Sequence, residues 1–470
     1  ESPIISNFPL TYPLGVDLFN SILELCGVET IRGLVWTGLA GAALTAYALW
    51  LWGGAFGLAA FLFNGGLSGF AILRDLRIED FQRDMVWKNL FLAMFVTQRA
   101  LLFAIPAGLI LLHAWRQQYF RGSKRIPPLW LQLLLYASMP LFSIHTFLFL
   151  SLVLLAIFAS SLFSVRPPIG GVRRTKDATD VLTFVALAVV PATMAVLLVT
   201  GFFSASAEIR WAPDWIIGGP DGHFATWFWD FGVTIPLCLM LVFILFFDKD
   251  RESRCFVWMA SSLFGLCCLF SFAPWEWDNM KLMLWSWLVI APYLWGKILA
   301  PLVLPARVAL CVLLLFSGGV SLIGGLDASQ GYVIAHRSEL AAWQKATSGI
   351  PANVRFATVP DYNHPLLLLG RKVASGYEWH LWSHGLDFRR DFELLRAALS
   401  GQESWRVSAP RLGVEWLALR KKDLPDTKPP GEPPPPEAFG ALYDLRPLFK
   451  PGPASQEPPQ LPPQSVDLSW

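Results

Sequence analysis

The sequence contains ten apolar segments, each near the length needed to cross a lipid bilayer. A spanning helix needs roughly 20 mostly apolar residues, because the hydrocarbon core leaves no water to bond the backbone. The segments are 31–50, 54–73, 90–113, 128–142, 145–164, 180–202, 231–247, 255–273, 281–299 and 306–325. The fourth is short, so 128–164 could form one interrupted hairpin that turns near Pro140 and His145. The sequence predicts a mainly α-helical, polytopic transmembrane bundle of about ten spans.

Composition supports this class and excludes others. Hydrophobic residues make up 54% of 470 residues and charged residues 15%. A soluble domain of this size cannot bury so much apolar surface with so few charged residues to cover it. The 22 tryptophans are typical of chains with aromatic rings at membrane–water boundaries. A net charge of +2 is too small to indicate nucleic acid as a partner. Apart from Cys26, the cysteines fall in apolar runs, so neither a disulfide framework nor a metal set is indicated.

Basic residues are concentrated in alternate connections between the predicted spans. These connections are 114–127, 165–177 and 248–254. Under the positive-inside rule they face the cytoplasm. The opposite side then receives 1–30, 73–89, 203–230, 274–280 and the chain after 326. We therefore expect a multi-pass protein of a bacterial inner (plasma) membrane, with its C-terminal region outside the cytoplasm.

The chain changes character after the last predicted span. Residues 336–347 and 391–401 have helical patterns, and the runs at 354–359 and 414–419 are strand-like. These patterns predict a small extracytoplasmic α/β domain over 326–424. The domain would follow an extracytoplasmic segment at 1–30 and a transmembrane helical domain at 31–325.

The last segment, 425–470, is rich in proline and includes PPGEPPPP at 429–436. Such a composition does not form a packed core. An inert, extended tail is therefore the favoured interpretation. The alternative is that ALYDLRPLF at 441–449 returns to the domain as an edge strand.

The outer loop FAPWEWDNMK at 272–281 holds the densest set of candidate binding residues, namely Trp275, Trp277, Asp278, Asn279 and Lys281. Aromatic rings beside carboxylates and an amide can hold a sugar by stacking and hydrogen bonding, and a lysine can meet a phosphate. The competing interpretation is an aromatic belt with a helix start that Asp278 or Asn279 caps.

Other candidates lie in or near the remaining outer loops. Arg99 falls about ten residues into the third predicted span, where it could face a polar cavity or pair with a neighbouring helix. His145 sits at an outer turn, where a structural role is favoured. His223 belongs to a long aromatic loop that suits a re-entrant or substrate-covering segment.

The loop at 73–89 supplies Asp84 and Lys88. A carboxylate here could act as a general base toward an acceptor hydroxyl, or the mixed charges could form a solvated amphipathic helix. The sequence contains no P-loop, Rossmann glycine pattern, zinc spacing or Gly-x-Ser-x-Gly elbow. No nucleotide or other cofactor is therefore indicated. A divalent metal stays open as an alternative, although no residue pattern indicates one.

Three stretches resemble segments of a known superfamily. They are NFPLTYPLGVDLFNSILELCG at 7–27, WDNMK at 277–281 and GRKVASGYEWHLWSHGLDFRRD at 370–391. Together with the many spans and the small outer domain, they resemble the GT-C superfamily of polytopic membrane glycosyltransferases, in an uncharacterised bacterial branch.

The resemblance implies transfer of a sugar, with inversion, from a polyprenyl-phosphate donor to a glycan, lipid or protein acceptor on the outer face. Lys88, Arg99 and Lys281 become candidates for the donor phosphate. The superfamily's usual catalytic carboxylate lies in its first outer loop, which the register of Tyr12-Pro13 would place upstream of Glu1. We therefore expect an N-terminally incomplete chain and leave the base unassigned, with Asp84 and Asp278 as secondary candidates.

Two non-enzymatic alternatives remain open. The first is a transporter or flippase of lipid-linked glycans, which would use similar cavities and cations but should show an internal repeat. No convincing repeat is evident in the sequence. The second is a non-catalytic membrane subunit whose C-terminal domain binds a partner. All three interpretations place the chain in a lipid bilayer.

Overall fold

The structure, a computed structural model, describes residues 4–5, 11–123, 125–162, 172–202, 209–215, 223–273, 275–327, 333–384, 386–432, 438–449 and 464–465. The chain divides into two compact units. A helical unit comprises Pro13–Phe202 and Glu208–Gln330. A C-terminal unit comprises Glu1–Tyr12, Phe203–Ala207 and Gly331–Trp470.

The helical unit is built from twelve α-helices within the described residues. They are α1 (Gly15–Leu25), α2 (Thr30–Leu62), α3 (Ile72–Asp75), α4 (Leu101–Arg116), α5 (Leu129–Phe142), α6 (Ile144–Leu162), α7 (Val172–Val199), α8 (His223–Phe231), α9 (Thr234–Phe247), α10 (Arg251–Leu269), α11 (Met280–Leu294) and α12 (Leu304–Gly325). Two short strands, β1 (Arg210–Trp211) and β2 (Phe270–Ser271), pair antiparallel.

Within the described ranges, five helical stretches are long and apolar enough to cross a membrane. They are Thr30–Leu62, Ile144–Leu162, Lys176–Val199, Glu276–Leu299 and Leu304–Gly325. Helices α5 and α9 are apolar but shorter. The chain is thus mainly helical and has the helices of a membrane protein, while the larger number of about ten spans stays a prediction.

Helix α2 corresponds to the first two predicted spans, at 31–50 and 54–73. It consists of two helical stretches that meet in a kink at Gly54, where the predicted spans also separate, but the second stretch ends at Leu62, well before residue 73. Gly54 has φ +61° and ψ −155°, a conformation that side chains disfavour strongly. Residues 63–67 leave the helix, and a short 3₁₀ turn follows at Ser68–Ala71.

Helix α11 is the buried centre of the helical unit. Its residues are apolar on every side, as expected of a helix surrounded by other helices. Its two tryptophans are buried, and both indole N–H groups are hydrogen-bonded, so they are not interfacial residues. The indole nitrogen of Trp285 donates to Thr146 Oγ1 at 2.8 Å, and that of Trp287 donates to the Ala60 carbonyl at 2.9 Å.

The C-terminal unit contains a five-stranded sheet with strand order β4-β3-β5-β6-β7. Its strands are β3 (Arg355–Thr358), β4 (Lys372–Val373), β5 (Trp416–Arg420), β6 (Gly440–Asp444) and β7 (Gln464–Ser465). Strand β3 is parallel to β4 and β5, whereas β6 is antiparallel to both β5 and β7. Its helices are α13 (Arg337–Ala346), α14 (Pro365–Leu368), α15 (Glu378–Ser383), α16 (Arg389–Ser400) and α17 (Trp405–Leu412).

Strand β6 corrects the prediction of an inert tail after residue 425. Gly440–Asp444 pairs with β5 along its whole length, and its first four residues are buried. The strand also has β7 on its other side, so it is not an edge strand. The proline count was misleading here because ALYD is an ordinary apolar strand sequence that directly follows a proline-rich connection.

Candidate functional site

Three segments that the sequence analysis placed in outer loops meet in the helical unit. Strand β1, from the loop before α8, pairs with β2, which leads into 272–281. Arg210 in β1 also forms an ion pair with Glu276. The loop at 73–89 joins them through Lys88 and Asp230. We call Lys88, Asp230, Trp277, Asp278 and Lys281 the loop cluster.

Asp278 and Lys281 form an ion pair at the start of α11. Lys281 Nζ lies 2.9 Å from Asp278 Oδ1, and the two side chains are only 19% and 16% exposed. The alternative prediction that Asp278 or Asn279 caps the helix is wrong, because the helix start has no side-chain cap. The pair instead places a fixed ammonium and a fixed carboxylate beside the Trp277 loop.

Asn279 has a structural position. It is 1% exposed, and its Oδ1 accepts a hydrogen bond from the Phe272 backbone N–H at 3.0 Å. Its Nδ2 donates to the carbonyls of Cys267 at 3.0 Å and Phe270 at 2.5 Å. Because these bonds engage both ends of the amide, Asn279 shapes the turn between α10 and α11 and offers little to a ligand.

Lys88 lies against the aromatic part of the same loop. Its Nζ is 5.4 Å from the centroid of the Trp277 ring and donates to the Arg83 carbonyl at 2.7 Å. Burial lowers the pKa of Lys88, and the nearby carboxylates Asp80, Asp84 and Asp230 oppose that shift. A cation that has lost part of its hydration gains more from an anionic ligand than a fully solvated lysine does.

Asp230 is the residue that the sequence analysis missed. It is 3% exposed, and its Oδ2 accepts from the backbone N–H groups of Val86 at 3.1 Å and Trp87 at 3.5 Å. Burial raises the pKa of Asp230 to about 6, although these two bonds and the charge of Lys88 act in the opposite direction. The only sign of it in the sequence is an aspartate directly before an apolar run, which is also typical of an ordinary span boundary.

Arg99 does not lie inside a helix, because the predicted third span at 90–113 is interrupted around it. A π-helical turn, Phe91–Val96, ends before it, and α4 begins at Leu101, so Arg99 occupies an exposed turn. Its positive charge acts on the carboxylate of Asp17. Opening the helix here avoids burying an unpaired guanidinium, which is costly in an apolar bundle.

An apolar cavity of about 220 Å³ lies among α2, α4 and α5. Phe103, Pro106 and Phe142 contribute to its wall. Phe142 ends α5, and the extended residue Ser143 separates it from α6. His145, three residues after Phe142, is partly buried and within electrostatic range of the Asp278–Lys281 pair. The break between α5 and α6 thus falls inside the predicted turn at 140–145 and next to the loop cluster.

The remaining candidates are less informative. Trp275 is 45% exposed, with its ring centroid 5.4 Å from that of Trp277, so an aromatic pair faces out of the loop. Asp84 is exposed and acts on Lys88 through its charge. The side chain of His223 lies outside the described part of the structure. Among the described residues, no three side chains of the metal-ligating types come together.

A second charged cluster lies at the other end of α11. Arg121 donates to both carboxylate oxygens of Glu252 at 2.9 Å, and the Tyr293 hydroxyl donates to the same carboxylate at 3.1 Å. Lys297 pairs with Asp248 at 2.7 Å. The acidic residues of the basic loop 248–254 therefore pair with cations on other elements, and this cluster is structural.

No family model matches the chain, and no curated protein matches it closely enough to count as a relative. The resemblance to the GT-C superfamily therefore stays a prediction.

Proposed function

We propose that this chain is a membrane glycosyltransferase that uses a polyprenyl-phosphate-linked sugar as its donor. The observation that supports this proposal is the loop cluster. Two lysines, a tryptophan pair and carboxylates from separate loops converge there. His145, which is within electrostatic range of the Asp278–Lys281 pair, lies three residues after Phe142, and Phe142 lines an apolar cavity among apolar helices. A lipid-linked sugar phosphate has matching parts, namely an anion, a sugar ring and an apolar tail.

Each part of the donor has a proposed contact. Lys281 and Lys88 meet the phosphate, since charge-assisted hydrogen bonds from ammonium groups are the strongest available to it. The rings of Trp275 and Trp277 stack on the sugar. The apolar cavity behind Phe142 takes the first units of the lipid tail. Asp278 or Asp84 can accept the proton from an acceptor hydroxyl, if either lies within hydrogen-bond reach of it.

The proposal includes the predicted topology. Lys281 and Lys297 are separated by sixteen positions on one helical stretch, or about 24 Å at 1.5 Å per residue. The loop cluster and the structural cluster around Glu252 would then lie at opposite membrane surfaces. With about ten spans, the basic connections fall on the cytoplasmic side and the loop cluster on the extracytoplasmic side.

The first experiment measures donor binding. The chain is reconstituted in lipid nanodiscs and titrated with undecaprenyl phosphate that carries a radiolabelled hexose. Lys281→Met and Lys88→Met should each weaken binding roughly tenfold, about 1.4 kcal/mol. Lys249→Met removes an exposed lysine from the other end of the helical unit and should have no effect. Equal affinity in all three variants would rule the loop cluster out as the donor site.

A carrier of lipid-linked glycans is the second candidate, because several helices are interrupted at the kink of Gly54, at Ser143 and before Leu101. Broken helices that line a substrate site are typical of transporters. Proteoliposomes with labelled donor in one leaflet separate the two functions. A transferase moves the label to a water-soluble or acceptor-linked product, whereas a carrier moves intact donor to the other leaflet.

A further inference from the structure

Three rings form a cluster at one edge of the sheet in the C-terminal unit. Tyr362 follows β3, Tyr377 follows β4, and His380 lies in α15. The ring centroids of Tyr362 and Tyr377 are 5.5 Å apart, those of Tyr377 and His380 are 5.3 Å apart, and those of Tyr362 and His380 are 6.4 Å apart. We call Tyr362, Tyr377 and His380 the ring cluster.

The ring cluster lies where a parallel sheet presents its ligand-binding edge. Strands β3 and β4 are parallel, so the residues that follow them emerge at the same edge. In open α/β sheets, ligands bind outside the carboxyl ends of the parallel strands. The binding crevice lies near the topological switch point, where the chain adds its next strand on the other side of an earlier one. The order β4-β3-β5 has this arrangement, because β4 and β5 flank β3.

The rings remain open to solvent although they contact one another. Tyr362 is 44% exposed and His380 is also exposed, while Tyr377 between them is half-buried. Because these aromatic rings are partly exposed, they bury only part of their apolar area. Their contribution to the free energy of unfolding is therefore small. Exposed aromatic faces grouped at a sheet edge are typical of a binding surface.

Fixed polar groups border the ring cluster. Asp361, next to Tyr362 in the chain, accepts hydrogen bonds from Arg420 at 2.8 Å and Lys422 at 3.1 Å. Arg420 is 5% exposed and is also held by Asp423. The side chain of Lys422 is 63% exposed. These ion pairs hold the pKa of Asp361 below its usual range against the effect of burial.

A buried polar atom lies at the same edge. His364 is fully buried, and its Nδ1 accepts from the Leu366 backbone N–H at 3.3 Å. Its Nε2 has no hydrogen-bond partner in the described part of the chain. His364 is within electrostatic range of Asp361 and Lys422. The edge therefore combines exposed rings, paired charges and a buried donor.

We propose that this edge of the C-terminal unit is a carbohydrate-binding site. Sugar rings have an apolar face that stacks on aromatic side chains and hydroxyls that bond to carboxylate and ammonium groups. The paired charges of Asp361, Arg420 and Lys422 favour a neutral, hydroxyl-rich ligand over a strongly charged one, because each charge already has a counter-ion. The inference goes beyond the proposed transfer reaction and holds whether or not the chain transfers sugars.

The test measures binding of defined tetrasaccharides to the whole chain in nanodiscs. Chitotetraose, maltotetraose and mannotetraose are titrated, with saturation-transfer NMR to identify the contacts. At least one should bind, and Tyr362→Ala should weaken that binding about tenfold or more, equivalent to about 1.4 kcal/mol. Tyr362→Phe keeps the stacking face and should stay within about threefold of wild type.

Phe449→Ala is the matched control, because Phe449 is 39% exposed in the same unit and lies outside the ring cluster. It should bind as wild type does, and so should Lys281→Met, which separates this site from the loop cluster. If Tyr362→Ala unfolds, Lys422→Ala replaces it, since that side chain is mostly exposed, and a loss of threefold or more is expected. The inference is overturned if no tetrasaccharide binds, if Tyr362→Ala and Phe449→Ala bind alike, or if lipid headgroups contact the Tyr362 ring in place of sugar.

Discussion

Two neighbouring residues of the loop at 272–281 have different roles, and their burial shows why. Asn279 and Lys281 are two positions apart. The Asn279 amide is buried and holds three backbone groups, while the Lys281 ammonium is partly exposed and paired with one carboxylate. Both residues are plausible ligands for a sugar phosphate when only their types are known. Burial and the surrounding backbone separate them.

Asp230 should make the stability of the protein depend on pH. Its folded pKa of about 6 lies above its usual value of 3.8, so the folded state binds the proton more tightly than the unfolded state. The free energy of unfolding is therefore greatest below about pH 4. It falls by about 3 kcal/mol as the pH rises from about 4 through 6. Asp230→Asn keeps an acceptor for the Val86 N–H and should remove this dependence.

Thermal unfolding in detergent between pH 4 and 7 measures the effect. Asp84→Asn is the control, because Asp84 is an exposed carboxylate near the same lysine. It should retain the wild-type slope. If Asp230→Asn and wild type lose stability in parallel over this range, the carboxylate of Asp230 does not carry the dependence.

Among the elements, α2 depends most on a single backbone conformation. Its sequence is almost entirely apolar, so no charged residue marks the bend, and the kink rests on a glycine. Trp52, before the kink, donates to the Leu288 carbonyl at 2.9 Å, and Ala60, after it, accepts from Trp287. Both halves of α2 therefore contact the same turn of α11, which requires the bend.

Gly54→Ala should destabilise the helical unit by about 1–3 kcal/mol, because a Cβ disfavours this region of φ/ψ space strongly. Gly38→Ala is a matched control in the same helix. At both glycines an added Cβ would meet no atom within 4 Å, so only backbone conformation distinguishes them. Gly38→Ala should be neutral or stabilising by up to about 1 kcal/mol. Thermal unfolding measures the difference. Equal unfolding midpoints for Gly54→Ala and Gly38→Ala would contradict this account of the kink.

At the scale of the whole molecule, the two ends of α11 should face opposite sides of the membrane. Trp275→Cys, near the loop cluster, should react with a membrane-impermeant maleimide in intact cells. Lys249→Cys, near the structural cluster, should react only after the cells are permeabilised. Both substituted positions are exposed, and the exposed native Cys26 is first replaced by serine. Labelling of both positions from outside would contradict a placement on opposite sides of the membrane. Labelling of Lys249→Cys alone would mean that the orientation is the reverse of the predicted one.

The C-terminal unit was partly readable from the sequence. The strand patterns at 354–359 and 414–419 correspond to β3 and β5, and the helical patterns at 336–347 and 391–401 correspond to α13 and α16. Local periodicity carried this information. Strand β6 was predicted only as the alternative to an inert tail, because its role depends on pairing with β5, which local composition does not encode.

The amino-acid sequence by itself determined that the chain is mainly helical and has helices apolar enough for a membrane, because backbone groups in hydrocarbon must bond within their own helix. Only the tertiary structure decided which loops meet. Asp230 and Val86 are 144 positions apart, and Trp277 reaches Lys88 only because α11 packs at the centre of the unit. Helix packing depends on the fit of many side chains at once, so no local pattern could have placed Asp230 beside Lys88 or Arg99 in an exposed turn.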